Sequence, residues 1–162
     1  MKISTRGEYG IRAMLYLALK SEEGPATSHE IAVEQAIPEP YLRQILAALS
    51  KDGLIQSNRG PQGGHSLGRD ADAISLQDVL LTLEGHTTSI DQILALPCSI
   101  GLGTERCAIR EVFLRVKDAV DGILATTTLA ELAGRQRQIL ERGISVPHDV
   151  AGPPALLPIV AD

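Results

Sequence analysis

A chain of 162 residues, 44% of them hydrophobic and only 2% aromatic, is too apolar to stay disordered and is long enough for one ordinary core, which must be aliphatic. Its net charge of −5 excludes indiscriminate coating of nucleic acid, but the balance is uneven: residues 1–69 carry +1 and residues 70–162 carry −6. No apolar run approaches the roughly 20 residues that span a bilayer, and the start has no secretory hydrophobic region, so the expected address is the cytoplasm.

The first predicted helix runs from about Ser4 to Lys20, with Ile11, Met14, Leu15, Leu17, Ala18 and Leu19 as its apolar faces. Lys2 and Arg6 are placed to touch phosphate or simply to be solvated, and Glu8 favours the helix N-terminus. After a turn over residues 21–25, Thr27 or Ser28 caps a short helix that ends near Gln35. Free amides at that helix start suit a phosphate, while Glu30, three residues after Thr27, makes a capping box. His29 is read as a surface residue.

Ile37-Pro38-Glu39-Pro40 stops this helix and starts the next, since Pro38 biases its predecessor away from helical angles and Pro40 suits a first turn. From Tyr41 the apolar stripe Tyr41, Leu42, Ile45, Leu46 and Leu49 leaves Arg43, Gln44, Ala47, Ser50 and Lys51 facing the other way. A helix of this width fits the major groove of B-form DNA, where Arg and Gln pair with base edges; the same face also suits an ordinary solvated helix or a docking module.

Gly53 is the expected helix stop, and Leu54-Ile55 begins a strand of a hairpin. The hairpin tip, Arg59-Gly60-Pro61-Gln62-Gly63-Gly64, lets backbone come close to another surface and presents Arg59 as its cation, suited to a narrow minor groove. Helix, turn, helix and hairpin in this order make a winged helix-turn-helix. The expected basic surface is Arg6, Arg43, Lys51, Arg59 and Arg69, with affinity falling as salt rises.

Ser75 starts a further helix with Leu76, Val79, Leu80 and Leu83 inside and Gly85 at its end. Residues 86–107 carry Cys98 and Cys107 on a segment loosened by Pro97, Gly101 and Gly103. A stable disulfide is not expected in the cytoplasm, which leaves bystander thiols, a reversible redox pair, or metal ligands. From about Thr104 to Ala125, Ile109, Val112, Phe113, Val116, Val120, Ile123 and Leu124 follow helical spacing. That predicts pairing with a symmetry mate in a two-fold dimer, or else packing on the chain's own winged domain. Thr128 and Glu131 open a last helix to about Glu141, and the proline-rich remainder has no periodicity.

The segments MKISTRGEYGIRAMLYLA, IPEPYLRQILAALSKDGLIQSNRGPQGGHSLGR, ISLQDVLLTLEG and CAIREVF…TTTLAELA together resemble the IscR/NsrR family of bacterial winged-helix regulators, also called the Rrf-two family. The resemblance spans about residues 1–133. It implies a homodimeric transcription regulator on double-stranded DNA, often sensing through an iron-sulfur cluster. Cys107 then matches the last cluster cysteine of iron-sulfur members, Cys98 matches either earlier one, and Glu8 matches an acidic residue that in some relatives ligates the partner subunit's cluster. The chain departs from the three-cysteine pattern: two thiolates are half of the four ligands a cluster prefers, leaving Glu8, His86 or Asp91 to supply the others. A cluster (2Fe-2S before 4Fe-4S), a clusterless thiol sensor, and a regulator reading another small molecule or partner protein all remain open. Arg43 is a second departure, because some relatives carry a base-discriminating glutamate there.

The fold class expected is therefore mainly α: a winged helix-turn-helix domain over residues 1–85 with a two-stranded β wing, a cysteine-containing loop over 86–107, a long dimerisation helix and final short helix over 108–142, and a flexible tail over 143–162. No Walker loop, dinucleotide fingerprint, catalytic triad or C-x-x-C pair is present, so no enzyme is expected.

Overall fold

The computed structural model describes residues 3–60, 63–87, 90, 94 and 107–143. Helix α1 is Thr5–Leu19, and the Ser4 hydroxyl caps it by accepting the Gly7 N–H at 3.1 Å. Helix α2, Ser28–Glu34, opens on the expected capping box between Thr27 and Glu30. It ends at Gln35, whose carbonyl accepts from the Arg12 guanidinium, so α1 holds the end of α2. Ala36 then turns the chain at φ +49°, a left-handed angle for a residue with a Cβ.

Helix α3, Glu39–Lys51, has Pro40 in its first turn, and Gly53 follows it at φ +72°. Strands β1 (Ile55–Asn58) and β2 (Gly64–Leu67) pair antiparallel with Ser57 opposite His65. Ala26 adds a short bridge to the outside of β2, donating to the His65 carbonyl at 2.9 Å and accepting its N–H at 2.7 Å. Only glycine fits at position 64, because a Cβ there would lie 2.7 Å from the Ala26 carbonyl oxygen. After a single 3-10 turn, helix α4 (Leu76–Glu84) is opened by a Ser75–Asp78 capping box and closed by Gly85 at φ +73°.

One aliphatic core joins these elements: Met14, Ile31, Leu42, Ile45, Leu46, Leu49, Leu54, Ile55, Ile74 and Val79 are all at most 2% exposed. Helix α1 meets α4 closely, since a Cβ on Gly10 would lie 2.1 Å from a methyl of Leu83. The wing and reader helix are thus fastened to one support.

Helices α5 (Ala108–Thr126) and α6 (Leu129–Arg142) follow. The predicted start of α5 near Thr104 falls outside the described residues, and Cys107 occupies its N-cap position. Its apolar residues divide between two faces. Leu124 is buried and Phe113 and Val120 are half-buried, whereas Ile109, Val112, Val116 and Ile123 are 65%, 55%, 43% and 66% exposed and lie along one stripe. Asp121 fixes α5 to the end of α4 by accepting from the buried Thr87 hydroxyl and from Lys117. Burial alone would push the Asp121 carboxyl up, but the bonds from Lys117 and Thr87 outweigh it and hold the group below the usual carboxylate range.

Helix α6 turns back onto the winged domain. Leu129 and Ala133 enter its core, the Leu129 N–H donates to Ile74, and the Arg137 guanidinium donates to the last carbonyls of α1. Among the described residues no helix is long and apolar enough to cross a membrane.

Candidate nucleic-acid interface

The outward side of α3 carries Arg43, Gln44, Ala47 and Lys51, all exposed, with Ser50 half-buried beside them. This follows from the opposite stripe: once Leu42, Ile45, Leu46 and Leu49 are buried, the 3.6-residue period leaves the polar positions nowhere else to point. A groove of about 460 Å³ runs beside this face, lined by Ser28 of α2, by Arg43, Leu46, Ala47, Ser50 and Lys51 of α3, and by Ser57 and His65 of the wing.

Arg43 is held in place before any ligand arrives. Its Nη2 donates to Glu39 at 2.6 Å one helical turn back, and the His29 ring lies 3.2 Å from the other carboxylate oxygen. Hydrogen bonds from Arg43 and then from His29 hold the Glu39 carboxyl below its ordinary range. Exposed pairs of this kind contribute little in water, so the guanidinium remains available to a stronger bidentate acceptor.

At the start of α2 the expected donors are already engaged. The Thr27 N–H and hydroxyl donate to the Glu30 carboxylate at 2.6 and 2.8 Å, and Ser28 Oγ lies 2.9 Å from His65 Nε2. The bonds from the Thr27 backbone and then its hydroxyl hold the Glu30 carboxyl low. In the wing, Arg59 is exposed, Gly60 has φ +123°, and a Cβ on Gly63 would lie 2.3 Å from the Asn58 carbonyl oxygen. Pro61 and Gln62 at the tip, like Lys2 near the start, lie outside the described residues. Arg6 and Arg69 are exposed.

Sequence reasoning passed over His65, Ser57 and the bond that joins Ser28 to the wing. Ser57 Oγ lies 2.9 Å from His65 Nδ1 and 3.4 Å from Ser50 Oγ, so one imidazole joins α2, both strands and the reader helix. Burial pushes the His65 ring below the ordinary histidine pKa. The signal in the sequence is the hairpin alternation, which becomes informative only when the register places Ser57 across from His65.

Of the predicted metal ligands, Cys107 and Glu8 fall among the described residues, and Glu8 is expected to act from the partner subunit. Cys107 is half-buried at the start of α5, and Glu8 is exposed on α1, 3.6 Å from Arg12. Cys98 and Asp91 lie outside the described residues. No group of three His, Cys, Asp or Glu side chains able to hold a metal occurs among the described ones. With two thiols in the whole chain, this donor set does not fit a cluster of four thiolates held by one subunit.

Comparison with known proteins gives this geometry a setting. The model of the Rrf2 family, described as an iron-dependent transcriptional regulator, matches residues 3–135. The chain is 40% identical over 133 residues to the HTH-type transcriptional regulator CymR of Bacillus subtilis, covering 82% of this chain and 90% of CymR. The solved structure of that protein, described as the global cysteine regulator of B. subtilis, superposes with a TM-score of 0.72 at 37% identity over 83% of this chain and 98% of its own. IscR of Escherichia coli is 33% identical over 149 residues, covering 92% of this chain and 90% of IscR. The oxidized form of Staphylococcus aureus CymR matches with a TM-score of 0.66 at 36% identity over 82% of this chain and 96% of its own. These relatives are transcription regulators, not enzymes.

Because His65 is less basic folded than unfolded, the unfolded chain binds more protons as pH falls through the ordinary histidine value of about 6.5. Its contribution is complete above that value and is lost below it. Urea midpoints should therefore drop between about pH 7.5 and about pH 5.5, and His65→Gln should flatten that interval while leaving the steeper carboxylate-driven loss below about pH 4.5.

Proposed function

The chain belongs to the Rrf2 family of transcription regulators, and on that footing we propose that it acts in the cytoplasm as a homodimer that binds a palindromic operator, most simply as a repressor. The observation that carries this reading is the exposed Arg43, Gln44 and Lys51 face beside a glycine-tipped wing that ends in Arg59. In the complex, α3 lies in the major groove with Arg43 and Gln44 at base edges, and Lys51 meets phosphate. Arg59, with Gly60, Pro61, Gln62 and Gly63 of the tip, reaches the adjacent minor groove, and Thr27 and Ser28 at the start of α2 face the sugar-phosphate backbone. The Arg43 guanidinium exchanges Glu39 for its base. Since some relatives carry glutamate at this position, the preferred operator differs from theirs.

The exposed stripe of α5 supports the dimer. Ile109, Val112, Val116 and Ile123 form an apolar surface separate from the face turned toward α4, and a second copy of the same stripe would cover it. Two-fold pairing would put the two reader helices on successive turns of one duplex face.

The signal enters through residues 86–107. A thiol pair formed by Cys98 and Cys107 fits the two cysteines of the chain, and the description of one relative's structure as an oxidized form supports a redox reading. The family's iron-dependent description and the IscR relatives support a second reading, in which a cluster draws on both subunits, with Glu8 from the partner among its ligands.

The wild-type protein should select a palindromic duplex from a random pool. Arg43→Ala and Arg59→Ala should each weaken binding to it by about 1–3 kcal/mol, and the change at Arg59 should also lower the salt slope; equal affinities for wild type and both variants would overturn the reading. Light scattering should give a dimer for the wild type and a monomer for Val112→Asp at the same concentration. Protein purified without oxygen should be colourless and free of sulfide under the thiol reading, with mild oxidation changing operator affinity at least about tenfold and Cys98→Ser abolishing that change; colour with iron and sulfide would establish the cluster reading.

A further inference from the structure

We propose that His65 is a positioning residue for DNA recognition, its ring bonding Ser28 and Ser57 together so that the start of α2, the wing and the reader helix present one fixed surface. The inference rests on the functional reading above and goes beyond it, because His65 is assigned no contact with DNA.

Ser28 Oγ and Ser57 Oγ each lie 2.9 Å from one ring nitrogen, and Ser57 Oγ is within 3.4 Å of Ser50 Oγ on α3. A neutral imidazole has one donor and one acceptor nitrogen, and a serine hydroxyl can meet either. If Nδ1–H donates to Ser57, the Ser57 hydroxyl is free to donate to Ser50 while Nε2 accepts from Ser28, so each of the three contacts has one donor and one acceptor. The His65 backbone adds a second tie through its paired bonds to Ala26, immediately before α2.

This arrangement acts on relative placement rather than on the existence of the parts. The reader helix is anchored by its own buried stripe and the hairpin by its ladder, so each survives without the ring. What the ring sets is the width of the groove between them, lined by Arg43, Lys51, Ser28, Ser57 and Ser50. Base readout needs the helix and the wing to meet their grooves at the same time, whereas attraction to phosphates tolerates small displacements.

The test measures anisotropy of wild type, His65→Ala, His65→Gln and Ser57→Ala on two probes of equal length: a duplex selected by the wild-type protein from a random pool, and the unselected random pool. His65→Ala and Ser57→Ala should bind the selected duplex about tenfold more weakly and the random pool within about twofold of wild type, with the circular-dichroism melt retained. His65→Gln, which keeps a donor and an acceptor on one amide, should recover part of the loss. Should His65→Ala not fold, Ser57→Ala, which deletes a single hydroxyl, carries the same comparison. Unchanged affinity for the selected duplex, or an equal loss on both probes, overturns the proposal for His65. A wild-type protein with no preference between the probes overturns the functional reading itself.

Discussion

The burial of four side chains on α3 governs the rest of this protein. Leu42, Ile45, Leu46 and Leu49 are at most 1% exposed, and fully burying residues of this size is worth about 1.5–3 kcal/mol each. Together they approach the whole net stability of an ordinary domain, about 5–15 kcal/mol, so the rotation of the helix about its axis is not negotiable. That rotation alone decides that Arg43, Gln44 and Lys51 look outward. Glycine at position 64 then lets the wing meet the Ala26 backbone at a distance a Cβ would forbid, and glycine at position 10 lets the Leu83 side chain of α4 close onto α1.

The polar interactions have a different task. Arg12 closes the end of α2, Glu30 occupies the donors of Thr27, Glu39 steadies Arg43, and His65 spans the gap between helix and wing. Most of them are half-exposed, where such bonds add little to stability but restrict geometry. A surface prepared in this way meets a ligand with less ordering left to do. The tie between Thr87, Asp121 and Lys117 places α5 against the domain in the same manner, leaving its outer stripe of Ile109, Val112, Val116 and Ile123 uncovered within one chain.

Local signals were legible where they arise from local chemistry. Pro38 and Pro40, the capping pair Thr27–Glu30, the start at Ser75, and the stops at Gly53 and Gly85 mark helix boundaries through backbone angles and nearby hydrogen bonds, and the helices lie where those residues put them. The apolar stripe of α5 was legible as a stripe, but its division into two faces was not. Whether Phe113 or Val112 turns inward depends on where α4 ends, which a helical period does not contain. The return of α6 into the first core through Leu129 was equally silent, since Leu129 reads like any other leucine opening a helix.

The sequence by itself determined the order of elements, the inward and outward faces of the reader helix, and the glycine-rich tip with its arginine, because periodicity and turn chemistry act over a few residues. Only the tertiary structure decided that Ser28, Ser57 and Ser50 meet around His65 and that Ile109, Val112, Val116 and Ile123 of α5 are left exposed. Those facts depend on contacts between residues up to 37 positions apart along the chain. Their partners are selected by packing of the core, and no local rule specifies that packing.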